Sequence, residues 1–96
     1  MDEIKLNQFQ LNILLNQEEK EDYQYILNLG IYCVRCEEMC PKGVEVIDNI
    51  LNSMNDILIK GRCKKCGKTV KRFIEFGEDR EFYERAQAFR KSIGED

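Results

Sequence analysis

Residues 61–73 read GRCKKCGKTVKRF and residues 32–36 read YCVRC. Each stretch holds a Cys-x2-Cys pair, Cys33/Cys36 and Cys63/Cys66, and 26 residues separate the two pairs. Such a pair makes a knuckle, a tight turn that aims both sulfurs at one metal while backbone N–H groups behind the turn donate to them. Gly67, directly after the second pair, suits the positive backbone angle that this turn needs. Two knuckles supply four thiolates, and Zn2+ has no preference against a tetrahedral all-sulfur shell. The expectation is one structural zinc per chain held by Cys33, Cys36, Cys63 and Cys66. Four protein ligands leave no open position for water or substrate, so catalysis at the metal is disfavoured.

A chain of 96 residues is one domain with a modest core. The spacing of motifs divides it into a helical N-terminal segment (1–30), a ribbon (31–77) and a C-terminal helix (78–94). Hydrophobic residues make up 43% and charged residues 34%, a globular balance. No apolar run is long enough to span a bilayer and no basic-then-apolar start resembles a signal peptide, so the reading is a soluble, cytoplasmic protein with no membrane partner. Cysteines in that compartment stay reduced, which favours metal over disulfides. The absence of histidine excludes imidazole ligands and both Ser-His-Asp and Cys-His nucleophile systems. With no phosphate-binding glycine loop and no carboxylate pair set apart from a solvated surface, no enzyme is expected and no small-molecule substrate is evident.

Outside the knuckles the pattern predicts an α+β fold. Leu6, Phe9 and Ile13 fall on one helical face. A second helix starts at Asn16 as N-cap with Glu19 in a capping box, buries Tyr23, Ile26 and Leu27, and stops at Gly30. The acidic run EEKED reads as a solvated first turn. Residues 44–59 admit two readings. Val44, Val46 and Ile50 with Ile57 and Ile59 suit a hairpin through LNSMN, whereas Ile47, Ile50, Leu51, Met54, Ile57 and Leu58 also make a helical stripe. The cysteine architecture favours the hairpin. Val70, Ile74 and Phe76 then lie on one face of a third antiparallel strand, ended by Gly77. Phe82, Ala86, Phe89 and Ile93 mark the C-terminal helix, with Arg90 and Lys91 as cations at its negative end.

Cys40 does not fit the pairing. It makes the run C-x2-C-x3-C-P, close to an iron–sulfur spacing without matching it, and reads otherwise as a spare thiol before Pro41. The segment from Tyr32 to Ile74, with YCVRC, Lys60-Gly61 and CKKCG, resembles the zinc ribbons. It is similar in particular to a family of very short microbial zinc-ribbon proteins of unknown function that share a YCVxC start and a KGxCxxCG finish. The resemblance covers under half of the chain and implies that the four paired cysteines are the ligands and that the intervening segment is a β-hairpin. The chain departs from that pattern in Cys40, in a longer linker and in helices at both ends.

Charge is unevenly spread. Residues 1–59 hold 11 acidic and 4 basic residues, residues 60–72 hold 7 basic and none acidic, and residues 73–96 hold 7 acidic and 4 basic. A zinc with four thiolates is net negative, so Arg62, Lys64, Lys65 and Lys68 offset the site. Lys60, Lys71 and Arg72 lie further along the strands. Two partner readings follow. Apolar helices in excess of what a ribbon can cover imply a protein partner or homodimer, through Phe82 and Phe89 at one end and Leu6, Phe9 and Ile13 at the other. Alternatively the basic block, Lys64, Lys65, Lys68, Lys71 and Arg72, binds nucleic acid phosphates, with Phe73 beside it either stacking on a base or, equally in strand geometry, serving as a core or interface residue.

Overall fold

The computed structural model describes residues 2–94 and is α+β: three helices and a four-stranded antiparallel sheet, with a small two-stranded hairpin at one end. Strands β1 (Ile4–Leu6), β4 (Val44–Leu51), β5 (Ile57–Cys63) and β6 (Thr69–Ile74) form the sheet in the order β1-β4-β5-β6. Strands β2 (Tyr32–Cys33) and β3 (Glu38–Met39) are the two arms of the first knuckle. Helices α1 (Gln8–Leu14), α2 (Gln17–Leu29) and α3 (Arg80–Ser92) complete the chain.

The hairpin reading of residues 44–59 holds. Val44 pairs with Cys63 and Leu51 with Ile57, and one irregularity lies between Val46 and Asp48. That bulge places Ile47 half exposed, and it is why the alternation there is not clean. The helical stripe through the same residues loses because strand pairing on both sides of β5 satisfies its whole backbone. Gly61 sits mid-strand for a steric reason: a Cβ there would meet the Glu45 carbonyl oxygen at 2.4 Å.

Strand register separates two faces. Leu51, Ile57, Ile59, Val70 and Ile74 join Leu11, Leu14, Leu15, Tyr23, Phe82 and Ala86 in one core. Cys33, Cys40 and Cys63 belong to the same core, so the knuckle end and the helices share a single apolar interior. Ile50 and Leu58 point to the other face of the sheet and lie outside that core cluster. Tyr23 anchors α2 over the core face by donating to Asn49 Oδ1 at 2.6 Å, and burial raises its phenol above the ordinary tyrosine range.

Several details of the helices differ from the sequence pattern. The capping box at Asn16 is present, with Glu19 N–H donating to Asn16 Oδ1 and Asn16 N–H to Glu19 Oε1, both at 2.8 Å. Gly30 ends α2 as expected, its N–H donating to the Ile26 carbonyl. Glu19, however, is buried and not part of a solvated turn. Arg85 Nη2 donates to it at 2.7 Å while Arg85 Nε donates to the Leu14 carbonyl at 2.9 Å, tying α3 to both N-terminal helices. A second capping box, Asn7 with Gln10, starts α1. Leu6 is buried in strand β1, whereas Phe9 and Ile13 are exposed, because α1 turns Leu11 and Leu14 inward instead. Phe76 leaves β6 for a short 3-10 turn and stacks obliquely on Phe82 at 5.2 Å.

Arg90 is the largest departure. Instead of a solvated cation near the end of α3, it is 1% exposed. Its Nε donates to Asn55 Oδ1 at 2.9 Å, Nη1 to the Asp2 carbonyl at 2.6 Å and Nη2 to the Asn52 carbonyl at 2.6 Å. Asn55, itself fully buried at the β4–β5 turn with φ of 62°, also donates from Nδ2 to Gln87 Oε1.

Candidate metal centre

The two knuckles are built alike. In the first, Glu37 N–H donates to the Cys33 carbonyl at 2.9 Å; in the second, Gly67 N–H donates to the Cys63 carbonyl at 2.8 Å. The residue after the second cysteine of each pair is left-handed, Glu37 at φ 58° and Gly67 at φ 79°. Glycine takes that conformation freely, whereas Glu37 carries a cost of about 1 kcal/mol, which the turn holds in place. Cys40 N–H donates to the Ile31 carbonyl and Lys64 N–H to the Gly43 carbonyl, fixing each knuckle to neighbouring backbone. Arg35 Nη1 crosses from the first knuckle to the Cys66 carbonyl at 3.2 Å.

These turns bring Cys33, Cys36, Cys63 and Cys66 together, every sulfur within 4.8 Å of the others. Cys33 Sγ lies 3.5 Å from Cys66 Sγ, and Cys36 Sγ lies 3.9 Å from Cys63 Sγ. A tetrahedral metal with metal–sulfur bonds near 2.3 Å places its sulfurs about 3.8 Å apart, so the donor set fits one ion at its centre. Cys33 and Cys63 are buried and Cys36 and Cys66 half-buried, a shell closed toward the core and grazed by solvent on one side.

Cys33, Cys36 and Cys63 do not ionise alike. Cys63 is brought down to about 6, chiefly because the Cys66 N–H donates to its sulfur, with the Lys65 N–H adding to it. The Cys36 N–H does the same for Cys33 and lowers it. Cys36 is pushed up to about 12, first by burial and then by the other three sulfurs. The backbone N–H groups of each knuckle thus favour the thiolate of its first cysteine, and a dication would do the same for Cys36. Backbone N–H groups lead this effect at both knuckles, rather than the lysine side chains between and beside the ligands.

Cys40 stands outside the set of four and lies on the loop before Pro41, but it is not a spare surface thiol. It is buried in the core, and burial followed by a hydrogen bond with Cys63 pushes it up to about 12. Of the basic block, Lys64, Lys65 and Lys71 are exposed and Lys68 half-buried, while Arg72 Nη1 donates to the carbonyl of Gly30 at the end of α2. Phe82 is fully buried and Phe89 half-buried, so the ring expected at a partner surface is a core residue in the first case. No helix among the described residues is long and apolar enough to cross a membrane. No protein-family model, curated protein or solved structure matches this chain.

Proposed function

We propose that the chain is a structural zinc ribbon, stapled by one Zn2+ on Cys33, Cys36, Cys63 and Cys66, that works as a protein-interaction module and pairs first with a second copy of itself. Sulfur separations of 3.5 and 3.9 Å support a single ion over a multi-iron cluster, whose thiolates must spread around several metals. Zinc suits four thiolates with no redox demand, and the closed shell makes its role structural.

The observation that carries the interaction reading is the seam between α1 and α3. Ile13 and Phe89 line one cleft there with Leu14, Ala88 and the stem of Arg85. Phe9, one turn before Ile13, is 71% exposed and Ile93, one turn after Phe89, is 44% exposed. Four large apolar side chains at helical spacing on two adjacent helices are a surface that water covers poorly. The rest of each helix is already committed, α1 through Leu11 and Leu14 and α3 through Phe82 and Ala86.

Solution mass tests the reading. The protein is expected at twice its 11.4 kDa chain mass. Ile13→Glu with Ile93→Glu is expected to return it to the monomer while changing stability by only about 0.5 kcal/mol, because both positions are exposed. A monomer at all concentrations removes the homodimer, and zinc analysis that finds no metal removes the ribbon.

A further inference from the structure

The helices cover one face of the sheet and leave the other open, and register identifies what that open face carries. One row across it is Lys5, Ile50, Leu58 and Phe73. The next is Asp48, Lys60 and Lys71, and the third is Glu45, Arg62 and Thr69. Successive rows are about 7 Å apart, two residues of strand rise. Beyond the third row the β5–β6 hairpin turns into the second knuckle, which holds Lys64 and Lys65 exposed.

Three properties of this face converge. First, Lys60 and Lys71 are direct cross-strand partners, an arrangement that destabilises a sheet, and only Lys60 has an acidic partner, Asp48, on its other side. Second, Lys5, Lys60, Arg62 and Lys71 form no ion pair among the described residues, although Glu45 and Asp48 are beside them on β4. Third, Phe73 is 53% exposed one row from Lys71 and shares its row with the buried Leu58 and Ile50. Asp48 and Glu45 are the acidic residues in these rows, against Lys5, Lys60, Lys71 and Arg62, so the rows carry a net positive charge. Glu18, Glu21 and Asp22 belong to α2, which packs on the opposite face through Tyr23 and Asn49.

We propose that this open face binds single-stranded nucleic acid, with Phe73 stacking on a base and Lys60, Lys71 and Arg62 holding the phosphates that lead toward the knuckle lysines. An aromatic ring set in a cationic antiparallel sheet is the arrangement that reads unpaired bases, because every base offers a face to stack on. Phe73 itself lines the neighbouring cleft together with Asp56, Glu75 and Glu78, and these carboxylates bound the phosphate path at that end. The site goes beyond the helical seam and shares no residue with it, so both surfaces can be occupied together.

Anisotropy of a short labelled oligothymidylate, titrated with the full zinc-loaded chain at several salt concentrations, tests the proposal. Binding is expected to weaken steeply with salt. Lys60→Gln with Lys71→Gln should flatten the slope of log affinity against log salt by roughly 0.7 per lost lysine. Phe73→Ala should weaken binding by about 5-fold or more with the slope unchanged. All three side chains project from the open face, so each variant is expected to keep its zinc and its circular dichroism. Absence of oligonucleotide binding at low salt overturns the proposal, as does a double lysine variant that binds like the parent. Polyglutamate binding as tight as oligothymidylate, insensitive to Phe73→Ala, overturns it in favour of an acidic protein. Ile13→Glu should leave oligonucleotide binding intact, which keeps failure of this site distinguishable from failure of the helical seam.

Discussion

The β4–β5 hairpin is held at its two ends by different chemistry. At the open end, Val44 and Cys63 lead into the knuckles, where four sulfurs lie within reach of a single ion. At the turn end, Arg90 reaches in from α3 and saturates the Asn52 carbonyl, Asn55 Oδ1 and the Asp2 carbonyl with its own donors. The first end is a cluster of thiols that could hold a metal ion; the second is a fixed polar network in which the guanidinium's planar fork meets acceptors from three separate chain positions. The difference teaches that a small domain with a metal staple need not rely on it everywhere. Leu14, Leu51, Ile57, Ile59 and Phe82, each fully buried, form an interior beside the turn end with no ligand among them.

The comparison is broken most severely by removing the metal. Chelation, or Cys63→Ser, is expected to abolish hydrogen-exchange protection at Glu37, Cys40 and Gly67, whose N–H bonds exist only in the formed knuckles. Protection at Ile57–Ile59 should fall less, because that segment is paired on both sides and buried by the helices. Equal loss throughout would mean that the metal holds the whole molecule.

The converse experiment is Arg90→Leu. It strips three acceptors of a donor, at least Asn55 being wholly inaccessible to water, and is expected to cost about 3 kcal/mol in urea unfolding. Zinc content should not change. Arg90→Lys is expected to recover little, since one ammonium lacks the fork that spans three partners. If Arg90→Leu releases zinc, the two ends are not separate devices.

Tyr23→Phe probes the middle of the molecule, between those ends. Loss of the bond to the buried Asn49 is expected to cost about 1 kcal/mol. Because burial raises the folded-state phenol above its unfolded value, this residue's contribution is complete below the unfolded pKa, about 10, and is lost as pH rises from there toward the raised value. The parent should therefore lose stability in alkali more steeply than Tyr23→Phe, which a pair of denaturation series near and above pH 10 measures. Parallel series would remove the linkage. The smallest effect is expected for Cys40→Ser: full metal content, with a loss of about 1 kcal/mol for a hydroxyl placed in a buried thiol's position. Metal loss in that variant would make Cys40 a fifth member of the site.

The open end was legible in the sequence because its signal is local. Two cysteines three apart specify a turn without reference to anything distant, and Gly67 repeats the same message in backbone terms. The Asn16/Glu19 box is legible for the same reason. The turn end was not legible, since nothing near Arg90 distinguishes it from Lys91, and its acceptors are contributed by residues 2, 52 and 55. Strand β1 escaped because three residues, Ile4–Leu6, are too few to show an alternation. Phe9 and Ile13 misled because α1 is only Gln8–Leu14, and in so short a helix Leu11 and Leu14 compete for the same interior from a neighbouring face.

The bond from Arg90 to the Asp2 carbonyl joins residues 88 apart, and during translation that distance becomes time. The ribosome releases Asp2, both knuckles and the entire β4–β5 turn before α3 leaves the exit tunnel. In that interval the Asn52 carbonyl has the Asn55 N–H of its own turn, whereas Asn55 Oδ1 has only water for a partner. On the nascent chain the cysteine end is complete first, and α3 arrives later to exclude water from the turn.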